Sequence, residues 1–395
     1  MFSSVNPFSV IFADKLESDD REPVFTFDVS GSSYGILVPN MFFWIQLLTI
    51  MALQGLVLAA FSTLTYRLIV KQRGMSTCYL FGFGFVIPMC LLLPRHLIAA
   101  FDIRNKVLKF MMSGILPTTT MFHCSEAMYG FCPPFVEASP ASYAIYSASA
   151  MELKYDPKTG KPMKATTKEK LQRIGKFGIY VVVLGGYLSV VAPFNYMPFE
   201  GPGADVSGFM KLFSAGQLLN NLAAGVVFQL YLTTCCEGLL AATCALGGVQ
   251  ANEVMHNPIF TSNSPSDFWG RKWNSVVHGV LKRGAFKPVR KYFSKYVAAA
   301  VAFGASGIFH EVILTSVFYV HDHEREPNGE CDPSKCWSPN YGGNLAFFIW
   351  NTVLICMEYT IGGWAIFSTL RGTIPQPFFS LLVISMALPA VHWFT

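Results

Sequence analysis

Apolar residues run along this chain in long blocks separated by short polar segments, not in the two-residue alternation of half-buried strands. A helix must supply about twenty mainly apolar residues to cross the hydrocarbon core of a bilayer, because each residue advances it by only about 1.5 Å. Blocks of that kind fall at 40–66, 78–100, 108–131, 177–194, 216–248, 296–320, 343–368 and 376–394. The pattern predicts an all-α integral membrane protein with roughly eight transmembrane helices. Residues 1–39 form a polar N-terminal segment, and 40–395 a single multi-span domain. The second and third blocks are the least regular. Pro88 and Pro94 interrupt one, and Pro117, His123 and Glu126 the other, so re-entrant or interfacial segments are the alternative there. The polar interruption at 132–176, with Pro133, Pro134, Pro140 and a basic tail, reads as a solvated linker.

Composition agrees with the pattern. Only 13% of the residues are charged and 52% are hydrophobic, whereas soluble domains carry about 25% charged residues. The net charge of +5 is small for 395 residues and unevenly spread, which makes it a topology signal and argues against nucleic acid as a partner. Lysine and arginine concentrate in "MELKYDPKTGKPMKATTKEKLQRIGK" and in "GRKWNSVVHGVLKRGAFKPVRKYFSK", so both segments are expected on the cytosolic face. The acidic N-terminal segment (Asp14, Glu17, Asp19, Asp20, Glu22, Asp28) and "HDHEREPNGECDPSKC" then fall on the lumenal face, a parity that eight crossings give. Arg95, Arg104, Lys106 and Lys109 dissent, since they land on the lumenal side. The first twenty residues lack a basic n-region and a continuous apolar stretch, and no cleaved signal is expected.

Ionisable groups are costly in hydrocarbon, so those inside a span mark candidate chemistry. The sixth block, "YVAAAVAFGASGIFHEVILTSVFYV", carries His310 and Glu311 behind a run of small residues that permits close helix approach or a cavity wall. Ser306 and His310 share a helix face, while Glu311 points about 100° away, so histidine and glutamate are expected to have different roles. Histidine is suited to take and return a proton near neutral pH; the alternative is a core histidine held by a backbone carbonyl or by Ser306. The other polar concentration is "SNSPSDFWGRKWN", residues 262–274. As a helix from about Pro265, capped by Ser264 or Ser266, it would be amphipathic. Phe268, Trp269 and Trp273 would then seek the membrane interface, with Arg271, Lys272 and Asn274 on the polar side. Asn274 offers both amide donors and an acceptor, and His278 stands one turn further on. Arg271, Lys272 and Arg283 read either as phosphate-binding cations or as part of the positive-inside pattern.

"NPIFTSNSPSDFWGRKWN" followed by "FGASGIFHEV" resembles the paired signature of the membrane-bound O-acyltransferase superfamily, and "SPSDFWGRKWN" is similar to its wax-synthase-like branch. The resemblance is specific over the signature region 257–320 and general elsewhere. It implies spans arranged around an intramembrane acyl-transfer cavity, in the endoplasmic reticulum. It also implies catalytic roles for His310 and Asn274. From the residues themselves the expected substrate site draws on Trp269, Arg271, Lys272, Trp273, His278, Arg283, Ser306 and Glu311, with an exposed loop position as the alternative for His278. The implied reaction moves a fatty acyl group from acyl-CoA, a co-substrate, to a long-chain alcohol, with diacylglycerol or a sterol as other acceptors. No metal and no further cofactor is implied. Two other functional classes compete: a proton-coupled transporter using His310 and Glu311 as a relay, and a non-catalytic acyl-CoA- or lipid-binding membrane protein. Near the end of the sixth block, His321, His323, Cys331 and Cys336 could ligate zinc, form a Cys331–Cys336 disulfide, or do neither.

Overall fold

The computed structural model describes residues 25–29, 32–36, 41–149, 151–201, 203, 205, 208–321 and 340–393. The N-terminal acidic residues other than Asp28, and His323, Cys331 and Cys336 with the zinc and disulfide readings they carry, lie outside the described residues. A two-stranded antiparallel hairpin, β1 (Phe25–Val29) and β2 (Ser32–Ile36), pairs Phe27 with Tyr34. The rest is helical. The principal helices are α1 (Met41–Thr65, extended by a π turn, Tyr66–Val70), α2 (Ser76–Ala100), α3 (Leu116–Tyr129), α4 (Thr167–Val191), α5 (Ala215–Ala245), α6 (Ser275–Leu281), α7 (Lys295–Val317), α8 (Gly343–Ile361) and α9 (Gln376–Ser385).

Among the described residues six helical stretches, Leu47–Val70, Ser76–Ala100, Thr167–Phe194, Ala215–Ala245, Lys295–Val317 and Gly343–Ile361, are long and apolar enough to cross a membrane. The two remaining expected spans are helical but irregular. Lys106–Phe110 continues through a π turn into α3, and contacts at its two ends assign them to opposite faces. The Lys109 ammonium donates to the Tyr319 carbonyl beyond the end of α7 (2.7 Å), whereas Arg73, between α1 and α2, donates to the Ala127 carbonyl at the other end (2.7 Å). Helix α9 is only ten residues long, but it starts beside Ser262, where the Ser380 hydroxyl accepts from the Ser262 N–H (2.9 Å). It then passes into a 3-10 helix, Leu388–Trp393, that packs on α5 and on Gly208–Phe213. Polar and proline residues lower the hydropathy of both stretches, and protein covers them: Glu126 and Ser380 are fully buried. Such irregular backbone is tolerated at membrane depth where other helices surround it.

The dissenting cations of the opposite face have an internal use. Lys106 sits over the Phe318 ring (5.5 Å) and Arg95 over the Tyr319 ring (5.5 Å), while Arg104 pairs with Asp102 (3.0 Å). Together with Lys109 they surround the C-terminal end of α7, where the helix dipole favours positive charge. His321 closes the same cluster, with Nε2 donating to the Ile103 carbonyl (3.0 Å).

The 132–176 segment is not a solvated linker. Ser139 caps the helix Pro140–Ala148, whose Tyr143 and Tyr146 are buried in a cluster with Tyr66, Cys124 and Met128. Residues 151–164 then bridge back to 249–251 through the pairs Leu153–Ala251 and Lys164–Val249. A capping box at Thr166 and Glu169 starts α4.

Helices α7 and α8 pack closely because Gly307 presents no side chain. A Cβ there would lie 2.9 Å from Leu345 Cα, too near for either backbone to stay in place. Gly307→Ala should therefore cost about 1–3 kcal/mol through overpacking. The expected result is a lower thermal midpoint in detergent, and an unchanged midpoint would contradict the close approach.

Candidate active site

His310 lies within α7, in the half nearer its C-terminal end, and a hydrogen bond sets its tautomer. Nδ1 is 2.7 Å from the Ser306 carbonyl oxygen, an obligate acceptor, so Nδ1 carries the proton and Nε2 the lone pair. That tautomer is the one a general base requires. The small-residue run makes room for the contact: Ser306 is buried, and its carbonyl, not its hydroxyl, is the partner. The imidazole face rests on Phe348 of α8 (ring centroids 4.8 Å, 35°), and the Phe309 ring meets it edge-on (5.2 Å).

Glu311 points elsewhere, as the helical spacing predicts. Its Oε1 accepts from the Leu345 N–H (3.2 Å) in the first turn of α8, so the carboxylate serves the exposed donors of a helix N-terminus across the α7–α8 contact. That placement differs from a substrate-facing role.

The expected amphipathic helix from Pro265 is broken into three short pieces. Ser264 caps Pro265–Asp267, a π turn follows over Phe268–Lys272, and Trp273 leaves in extended conformation before Asn274 caps α6. Ser266, the other expected cap, instead gives its N–H and hydroxyl to the Glu358 carboxylate (2.7 and 2.6 Å). The break leaves the two indoles in edge-on contact (ring centroids 5.9 Å) but turns them toward different neighbours. Trp273 stacks between Phe268 (5.3 Å) and Phe228 (6.0 Å) beside Met255 and Leu240. Trp269 enters the α7–α8 cluster, against Phe303, Phe347 and Phe348, and its indole N–H donates to Asn351 Oδ1 (2.9 Å). Both were expected to anchor the chain at the membrane interface; they are part of the packed interior because the π turn aims them inward. Trp269 thereby joins His310 in one aromatic cluster through Phe348.

Asn274 accepts the Val277 N–H on its Oδ1 (3.1 Å), leaving its amide donors unengaged by protein among the described residues. His278, one turn along, is half-buried. Burial holds its imidazole down at about 4, and the positive charges of Lys282 and Arg283 add to the effect. Arg271 is 76% exposed and pairs with the buried Asp267 (2.9 Å), while Lys272 is half-buried at the edge of the same turn.

Arg283 departs from the sequence expectation. Its guanidinium bonds Glu126 (3.1 Å), Glu152 (3.4 Å) and the Tyr146 hydroxyl (3.4 Å), and Tyr146 also donates to Glu126 (2.7 Å). It cannot hold a substrate phosphate while it neutralises two carboxylates inside the protein. The network ties α3, the helix Pro140–Ala148 and the segment after α6 together. Sequence reading missed Glu126 as its centre, although a carboxylate in an apolar block was the available signal. It also missed Asn351, a lone amide inside α8, and Phe348, which nothing distinguishes from other phenylalanines. Among the described residues no group of three or more His, Cys, Asp or Glu side chains is placed to hold a metal.

Fold and site together define an integral, multi-pass membrane protein with a part-buried histidine in one span and an aromatic-basic segment packed against that span. Comparison with known proteins is consistent with this class. Residues 252–325 match the membrane bound O-acyl transferase family. Over 122 residues it is 31% identical to the long-chain-alcohol O-fatty-acyltransferase of Simmondsia chinensis, covering 27% of this chain and 34% of that one. Over 181 residues it is 28% identical to acyl-CoA–sterol O-acyltransferase 1 of Arabidopsis thaliana, covering 42% and 45%. Over 76 residues it is 34% identical to the probable long-chain-alcohol O-fatty-acyltransferase 9 of Arabidopsis thaliana, covering 17% and 21%. The chain thus spans less than half the length of each of these relatives.

The low proton affinity of His278 gives a pH prediction. The unfolded chain binds a proton at His278 near pH 6.5 and the folded protein only near 4, so the folded state loses stability as pH falls through that window. His278→Gln should lessen the fall in thermal midpoint between pH 6.5 and 4 while leaving the midpoint's slope above pH 7 unchanged. Equal acid sensitivity in both proteins would contradict the burial of this imidazole.

Proposed function

We propose that this protein is an O-acyltransferase that moves a fatty acyl group from acyl-CoA to a lipid alcohol, with a long-chain alcohol as the first acceptor and a sterol or diacylglycerol as the second. The observation that carries the reading is the His310 tautomer: Nδ1–H is committed to the Ser306 carbonyl and Nε2 holds the lone pair inside a span. In the proposed reaction Nε2 accepts the alcohol proton as the alcohol oxygen attacks the thioester carbonyl. The carbon–sulfur bond then breaks, and the coenzyme A thiolate leaves and takes the proton back, which restores neutral imidazole. Asn274 steadies the acyl carbonyl through its amide hydrogens. Arg271 and Lys272 meet the phosphates of acyl-CoA at the mouth; Arg283 has no part in that contact. Proximity of an apolar alcohol and an acyl chain in one cavity supplies much of the rate.

The relatives favour two acceptor classes. The Simmondsia chinensis protein is named for long-chain alcohols and the Arabidopsis thaliana protein with the longer match for sterols, so both belong in the assay. A proton relay through His310 and Glu311 is the weaker reading, because the Glu311 carboxylate is engaged by the N-terminus of α8.

Purified protein should form ester from labelled acyl-CoA and at least one alcohol of a panel holding long-chain alcohols, sterols and diacylglycerol. His310→Ala should lower turnover by about 10² to 10⁴, the usual contribution of a general base, at unchanged thermal stability and acyl-CoA binding. Turnover of the folded variant within about threefold of wild type, on the order of 0.7 kcal/mol of barrier, would remove His310 from the mechanism. Neutralising Arg271 and Lys272 together should raise the KM for acyl-CoA about 3- to 30-fold, as expected for two surface charge contacts of up to about 1 kcal/mol each. The KM for the alcohol should not change; equal rises for both substrates would assign the cations to topology alone.

A further inference from the structure

We infer that Asn351 is a positioning residue for His310, acting through Trp269 and Phe348, an inference that rests on the proposed catalytic role of His310. Asn351 is 1% exposed and stands in the middle of the apolar helix α8, where an amide is costly unless all its groups are used. Its amide hydrogens donate to the Phe347 carbonyl one turn back (2.9 Å), which orients Oδ1 to accept from the Trp269 indole N–H (2.9 Å). This bond is what draws a residue of the 262–274 segment into the contact between α7 and α8.

The indole so held packs against Phe348 (5.9 Å), and Phe303 of α7 packs against the same ring (6.2 Å). Phe348 in turn supports one face of the His310 imidazole at 4.8 Å. The Ser306 carbonyl fixes which nitrogen of His310 carries the proton. The Phe348 face, with Phe309 edge-on beside it, bounds the tilt of the ring and hence the direction in which Nε2 points. Loss of the Asn351–Trp269 bond lets the indole retreat and Phe348 follow. A displacement of the order of 1 Å at a reacting atom is enough to slow a reaction substantially.

The test uses the full chain in detergent, with variants matched for thermal midpoint. Asn351→Leu keeps the volume and removes the acceptor, Trp269→Phe removes the donor, and Asn351→Asp keeps an acceptor and, as the acid, a donor in the same place. Asn351→Leu and Trp269→Phe should each lower kcat about tenfold, with the KM for acyl-CoA within about twofold of wild type. The double variant should fall no further than the lower single one, because both changes break one bond. Asn351→Asp should restore kcat to within about threefold of wild type. A second readout needs no turnover: the rate at which diethyl pyrocarbonate modifies His310, followed by peptide mass spectrometry, should change at least twofold in Asn351→Leu and return in Asn351→Asp. Additive losses in the double variant, an Asn351→Asp protein as slow as Asn351→Leu, or an unchanged modification rate would each overturn the inference. Were the wild type to turn over no alcohol, the proposed function would fall and the modification rate alone would decide whether Asn351 sets the His310 ring.

Discussion

The site depends on how closely α7 and α8 approach. At Gly307 the two backbones come within the space that a single methyl group would fill. Three contacts follow from that distance. Glu311 reaches the N-terminal amides of α8, Phe348 reaches the face of His310, and the gap left beyond them admits Trp269. Because hydrophobic driving force between helices is absent in lipid, association there relies on close packing and polar contacts, and this pair uses both.

A second constraint acts on every polar group that the membrane-embedded part contains. Unpaired, such groups are costly, and several are matched across elements distant in sequence. Arg283 meets Glu126 and Glu152, Asn351 meets Trp269, Glu358 meets Ser266, and Asn221 donates to the Leu388 carbonyl (2.8 Å). Removing one partner of a buried pair typically costs about 3–5 kcal/mol when the other is left charged and alone, and around Arg283 and Glu126 the bonds to Glu152 and Tyr146 remain to lessen that loss. These pairs hold the short broken helices of 258–290 in place, although none of the pieces has enough residues to be stable by itself.

Much of this was legible in the chain. Long apolar blocks located the main helices, and the i, i+4 relation of Ser306 and His310 put them on one face with Glu311 on another. The roles of Trp269, Trp273 and Arg283 were not legible. Trp269 and Trp273 read as interface anchors because aromatic residues beside basic ones usually are, and the π turn that redirects them leaves no pattern in the sequence. Arg283 reads as one cation in a basic run; its partners Glu126 and Glu152 lie 157 and 131 residues away. The expected linker at 132–176 was misread for a related reason: its tyrosines are buried against helices that local composition does not reveal.

The sequence by itself determined which segments enter the membrane, since transfer of about twenty apolar residues into hydrocarbon depends on composition and hardly on neighbours. It also singled out His310, since an ionisable side chain in such a segment is conspicuous wherever the chain goes. Only the tertiary structure decided which distant groups meet: that Glu311 caps a neighbouring helix, that Arg283 is engaged internally, and that Asn351 holds Trp269. Each of those is a hydrogen bond or ion pair of about 3 Å between specific atoms, and such directional contacts are fixed by how helices pack and not by what any one of them contains.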